Sequence, residues 1–150
     1  MEQGEEESGE RSATEELRIN HAGWRGAGTA CVGVRMGGAG AVLRALVDTG
    51  SPVSLMLYSA FVGRGANVKL AKMGSYMILR GVNGSVIAVR GRFVDQITFE
   101  NGDNKEFNIE LFVVEDQTME FDILLGRRFF DDAGLRLSYG KLFCRSSVRR

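Results

Sequence analysis

A chain of 150 residues, 44% of them apolar, is long enough to bury one real core and has the composition of a globular domain rather than a disordered one. Formal net charge is zero, but seven Glu against Arg11 make residues 1–16 acidic and leave the rest of the chain basic, with no stretch near the roughly 18 to 20 apolar residues a bilayer span needs and no basic export signal at the start. Two cysteines and one histidine, His21, argue against a disulfide framework, a Ser-His or Cys-His nucleophile pair and a zinc site, so hydrolytic chemistry here would fall to carboxylates.

Residues 1–16 (MEQGEEESGERSATEE) lack any aliphatic run and are expected to form a disordered acidic tail. Residues 17–28 make a transition segment in which Trp24 is the one large anchor among glycines. From Thr29 the pattern is one of short strands. Residues 29–36 (TACVGVRM) alternate, and the GGAG at 37–40 reads as a hairpin turn. Residues 41–47 (AVLRALV) are mostly apolar, as in a strand buried on both faces, and run directly into Asp48-Thr49-Gly50-Ser51-Pro52. Another apolar strand is expected at 53–57, then one helical turn or an irregular loop over 58–65.

A second hairpin joins 75–80 to 85–89 through Gly81-Val82-Asn83-Gly84, where Asn-Gly is the strongest short turn signal in the chain. A third joins 93–100 to 106–114. Residues 121–125 (FDILL) read as a short strand, 127–133 (RRFFDDA) as a short helix stopped by Gly134, and 135–137 with 142–144 as a last hairpin. Strands recurring at this spacing between Gly-rich turns predict an all-β, closed barrel over residues 29–145, with one short C-terminal helix and a basic end at 146–150.

The element that carries chemistry is Leu46-Val47-Asp48-Thr49-Gly50-Ser51, in which an ionisable side chain follows immediately on an apolar strand. A lone carboxylate buried there is costly unless it is paired or its pKa moves. The plain alternative is an Asx-turn opened by Asp48, with Gly50 supplying a positive φ. Glu115-Asp116, Asp122 and Asp131-Asp132 read as turn and helix-end charges, with Asp122 a candidate partner for Arg127 or Arg128, and Cys31 and Cys144 as buried thiols.

Three features together resemble the retropepsins, the aspartic proteases of retroviruses and gypsy-type retrotransposons. They are ALVDTGS at 45–51, the hairpin LRGVNGSVIAV at 79–89 where that family carries its flap, and FDILLGRRFF at 121–130. The likeness implies a retropepsin-like barrel acting as a homodimer. Asp48 would then be the catalytic carboxylate, Thr49 would brace the two active-site loops across the dimer axis, and Gly50 would let substrate backbone approach. Val82, Asn83 and Gly84 would form the flap tip, with Ser51, Leu46, Val86 and Ile123 around the peptide. Gly126 would let a strand pass behind the active-site loop, and Arg127 would help tie the dimer. Pro52 departs from the polar or acidic residue often found at its position, removing a likely partner for Arg127.

With a single Asp-Thr-Gly in the chain, one protomer holds half a site. Peptide hydrolysis by carboxylates needs one to take a proton from water while the other, protonated, polarises the scissile carbonyl. A twofold dimer supplies the pair. The resemblance therefore implies an endopeptidase acting on extended, polyprotein-type substrates, without cofactor or metal, with no nucleic-acid or membrane partner, in the cytoplasm or a retroelement particle. The alternative is a catalytically silent dimerisation or peptide-binding module of the same fold. A barrel binding nucleic acid through its basic excess is disfavoured by the missing aromatic stripe.

Overall fold

The computed structural model describes residues 14–18, 30–37, 40–63, 69–72, 78–81, 83–100, 102, 104–138 and 141–145. His21, Trp24, Val82, residues 1–13 of the acidic tail and the basic end at 146–150 lie outside the described residues. In chain order the elements are β1 (Thr14–Arg18), β2 (Ala30–Met36), β3 (Leu43–Val47), β4 (Ser54–Leu57), α1 (Tyr58–Gly63), β5 (Leu79–Arg80) and β6 (Val86–Ile87). They continue as β7 (Val89–Phe99), β8 (Phe107–Val114), β9 (Ile123–Leu125), α2 (Arg127–Ala133), β10 (Leu135–Ser138) and β11 (Lys141–Arg145).

Six strands close into a barrel in the order β2-β3-β9-β4-β8-β7. The period of two that marks a half-buried strand is plainest in β7, where Phe93, Ile97 and Phe99 point inward while Arg92, Val94 and Gln96 face solvent. β4 differs, because all four of its residues are buried. Met56 faces the barrel interior, whereas Leu55 and Leu57 join Phe112 and Val114 in a second cluster on the outer face. Leu79, Ile87, Val89 and Leu124 cover that second cluster, so the base of the β5–β6 hairpin is seated on the barrel.

α2 closes one end of the barrel by inserting Phe129 and Phe130, which are 4% and 3% exposed. Phe129 meets the Phe99 and Phe107 rings, with centroids 6.2 Å away in each case. Burying each phenyl is worth roughly 1.5–3 kcal/mol, enough to fix a helix too short to form alone. The helix stops at Gly134, whose left-handed backbone (φ 71°) turns its N–H to the carbonyls of Asp131 and Phe130, as the sequence predicts. Among the described residues no helix is long and apolar enough to cross a membrane.

Two expectations need correction. The strand ahead of Asp48 is not buried on both faces: Ala45 and Val47 are buried, Arg44 is exposed and Leu46 is half-buried. Arg44 in mid-run was the signal. Thr14–Glu16, assigned to the disordered tail, belong to β1, which pairs antiparallel with β11 and completes a three-stranded sheet in the order β1-β11-β10.

Candidate active site

β9 runs parallel to β3, with Leu46 opposite Leu124 and Val47 opposite Leu125, and antiparallel to β4. The chain leaves β3, turns through residues 48–53 and returns as β4 on the far side of β9. The loop bearing Asp48 therefore straddles the end of β9. This crossing requires glycine at 126: a Cβ there would overlap the Val53 carbonyl and lie 2.8 Å from the Ser51 carbonyl oxygen. Neither can yield cheaply, since both are backbone.

Main-chain bonds fasten the loop. The Asp48 N–H donates to the Leu125 carbonyl (3.0 Å), the Ser51 N–H to the Asp48 carbonyl (3.0 Å) and the Arg127 N–H to the Ser51 carbonyl (2.6 Å). Buried Ser54 accepts the Gly126 N–H on Oγ at 2.9 Å, while the Ser51 hydroxyl donates to the Val53 carbonyl at 2.7 Å. The Gly50 N–H donates to Asp48 Oδ1 at 3.0 Å. The Asx-turn reading of this tripeptide is thus correct as geometry, without the positive φ expected at Gly50. It also orients the carboxylate. Among the described residues nothing donates to Oδ2. Asp48 is half-buried, and Thr49 and Gly50 are exposed beside it.

Pro52 is accommodated differently from what its missing N–H suggests. Its carbonyl accepts the Arg128 N–H at 3.2 Å, so backbone, not a side chain at 52, joins the loop to α2. The Arg127 side chain is exposed and has no hydrogen-bond or ion-pair partner among the described residues. Asp122 does not reach Arg127 or Arg128: its Oδ2 accepts the Arg44 backbone N–H at 2.9 Å.

The β5–β6 hairpin pairs Leu79 with Ile87 and Arg80 with Val86. Its turn is closed by the Gly84 N–H donating to the Gly81 carbonyl (2.9 Å), and Gly84 takes a positive φ of 85° that side chains disfavour. Asn83 Oδ1 accepts both the Ser85 N–H (3.0 Å) and the Ser85 hydroxyl (2.7 Å), and Arg80 donates to the Gly84 carbonyl at 3.0 Å. Exposed Ile78 and Val86, each 60% accessible, give the hairpin an apolar surface.

Of the residues expected around a peptide, Leu46 shares the outward face of β3 by the two-residue spacing from Asp48, while Ser51 is half-buried in the loop. Ile123 is wrongly placed by the sequence reading. It is fully buried in the barrel core, opposite Ala45, and has no surface to offer. Its neighbour Leu124, half-buried and opposite Leu46, occupies the outward face that Ile123 was meant to line. The strict alternation of β9 could have revealed this once Leu125 was assigned to the core. Among the other acidic residues, Glu115 and Asp116 make structural contacts. Glu115 pairs with Arg90 at 2.8 Å, and its hydrogen bond raises the Arg90 pKa further. Asp116 Oδ1 accepts the Ser59 N–H at 2.9 Å, and the described residues hold no His, Cys, Asp and Glu group suited to a metal.

No family model and no curated protein sequence matches the chain. Solved structures do. A retropepsin-like aspartic protease from Rickettsia conorii superposes with a TM-score of 0.56 at 17% identity, over 93% of this chain and 97% of that one. The retroviral protease-like domain of Ddi1 from Leishmania major gives 0.52 at 17% identity, over 73% and 78% of the two chains. The EIAV protease complexed with the inhibitor HBY-793 gives 0.52 at 18% identity, over 72% and 90%. The barrel with its threaded loop and overlying hairpin is therefore a retropepsin-like fold. At these identities the likeness is one of architecture.

Proposed function

We propose that the chain is an aspartic endopeptidase of retropepsin type, active as a homodimer in which each copy contributes Asp48. The observation that carries this reading is the Asp48 loop: a carboxylate fixed on one oxygen by Gly50, with no donor to its other oxygen among the described residues, on a loop that backbone bonds at Asp48, Ser51 and Pro52, the Ser54–Gly126 bond and the Gly126 crossing hold against β9 and α2. One such group cannot act as acid and base at once. Beside its symmetry mate, one ionised Asp48 takes a proton from a water held between the pair. The protonated Asp48 donates to the scissile carbonyl oxygen as the hydroxide adds. Collapse of the tetrahedral intermediate breaks the C–N bond as the amine takes a proton, with no covalent enzyme intermediate. Thr49, exposed next to the acid, braces the two loops across the axis. Substrate lies extended beneath the β5–β6 flap, whose tip residues Asn83 and Gly84 close over it, with Val86, Leu46 and Ser51 around the cleaved bond and Gly50 admitting its backbone. Arg127 contributes to holding the dimer, and polyproteins are the proposed substrates.

The decisive measurement is cleavage of a mixed peptide library from about pH 4 to 7 by the wild-type protein and by Asp48→Asn, with sedimentation in parallel. Activity that falls on the order of a thousandfold in the variant, and that tracks the dimer as concentration changes, is expected. Unchanged cleavage by Asp48→Asn, or full activity from a strict monomer, rules the mechanism out.

A further inference from the structure

The flap is one continuous strand with the barrel wall, since β6 leads through Ala88 straight into β7. The ladder between β7 and β8 is regular except at one point: Val89 pairs with Val114 and Gly91 with Val113, so Arg90 is an extra, bulged residue. A bulge leaves its residue out of the ladder and re-aims its side chain. Here the guanidinium lies 3.7 Å from the centroid of the Tyr58 ring at the start of α1. Its Nε donates to Glu115 Oε2 at 2.8 Å and its Nη2 to Oε1 at 3.3 Å, a forked pair that fixes direction as well as distance. The segments carrying the two partners are joined, because Asp116 accepts the backbone N–H of Ser59. Tyr58 and Glu115 thus form one platform at the flank of the barrel.

On the barrel side of the bulge the strand is immobilised. Gly91 is packed so closely that a Cβ would lie 2.8 Å from both Leu70 Cβ and the Ala71 carbonyl oxygen. Ala71 and Arg92 exchange two backbone hydrogen bonds of 2.8 and 3.0 Å. On the flap side, Arg80 and Asn83 stiffen the hairpin internally, and among the described residues Leu79, Ile87 and Val89 rest on the barrel. A stiff hairpin meeting a fixed wall pivots where the ladder is interrupted.

We propose that Arg90 is a positioning residue, a clamp at the pivot that sets the tilt of the flap over Asp48 through Tyr58 and Glu115. The inference rests on reading β5–β6 as a flap over an active acid. It predicts which property the clamp governs: closure on substrate, hence KM, rather than the chemical step.

The test uses the full chain as Arg90→Ala, Arg90→Lys and Glu115→Gln. Amide exchange at Val89, Arg90 and Val114, beside the interrupted pairing, should rise roughly fivefold in Arg90→Ala, the scale of one forked ion pair with a ring beneath it, while β4 amides and those of β8 from Phe107 to Phe112 keep wild-type rates. KM should rise by a similar factor with kcat within about twofold, and Arg90→Lys, which keeps the charge and loses the fork, should fall between. Combining Arg90→Ala with Glu115→Gln should add little to either alone. Val89, Arg90 and Val114 amides that exchange at the wild-type rate, or β4 and remaining β8 amides that accelerate together with them, would overturn the proposal. The exchange arm needs no substrate, so it decides the clamp even if the protein cleaves nothing. Conversely, loss of activity in Asp48→Asn with an unaffected flap in Arg90→Ala defeats the clamp and leaves the protease reading intact.

Discussion

Ser54→Ala probes the fastening of the Asp48 loop where it is least exposed to solvent. Ser54 is 3% accessible and its Oγ is the acceptor for the Gly126 N–H at 2.9 Å. Removing that oxygen leaves a buried donor that water cannot reach, because the Gly126 Cα faces the Ser51 and Val53 carbonyls without room for a methyl group. An unsatisfied buried donor costs about 1–3 kcal/mol, and a midpoint of about 2 kcal/mol corresponds to roughly 6–8 °C in Tm for a chain of this size. Ser51→Ala is the control. Its hydroxyl donates to the Val53 carbonyl from a half-buried position, where water can substitute, so its removal should cost about 0.5–1 kcal/mol. Urea unfolding of the two variants reads the difference directly. Equal losses, or a Ser54→Ala loss below about 0.5 kcal/mol, would refute the argument that the buried Ser54–Gly126 bond holds the crossing.

The alternation of β9 makes a paired prediction. Ile123→Ala should cost about 2–4 kcal/mol in stability, as for any fully buried aliphatic, whereas Leu124→Ala should cost less stability and more activity by raising KM on apolar peptides; a large KM effect from Ile123 with stability retained would reverse the assignment. Arg127→Ala removes a cation from the N-terminus of α2, so the protomer should be unchanged or stabilised by a few tenths of a kcal/mol while the dimer weakens about tenfold in sedimentation; unaltered self-association would free Arg127 of any role between copies.

What the sequence revealed was local. The Asn83-Gly84 turn, the 127–133 helix with its Gly134 stop and the carboxylate at the end of an apolar strand all announce themselves within a few residues, because turn chemistry, capping and hydrophobic period act at that range. What stayed hidden was non-local. Whether Ile123 or Leu124 faces outward depends on how β9 registers against β3 and β4, and a one-residue difference exchanges the two faces. β1 was missed because an edge strand such as Thr14–Arg18 pairs through backbone, which a charged sequence does not advertise. The Arg90–Glu115 pair, 25 residues apart, is likewise set by the bulge rather than by any motif. Arg44 could have been read correctly, since a strand buried on both faces does not carry a guanidinium at its centre.

The loop around Asp48 is fastened almost wholly by backbone groups, and this bears on how the site can be completed. The Asp48, Ser51 and Arg127 amides and the Ser51 and Pro52 carbonyls are consumed in tying β3, β9 and α2 together. The Pro52 carbonyl, not a side chain at 52, reaches α2, and the Arg127 guanidinium has no partner among the described residues. The carboxylate is the exception. Among the described residues Oδ1 accepts from Gly50 and nothing donates to Oδ2. A rigid frame that presents one oxygen of one acid is poorly suited to a structural turn, for which Asn would serve as well without the cost of a half-buried charge. It is well suited to a site whose second acid arrives on another copy, because the positional precision that proton sharing demands has to be built into each half before the halves meet.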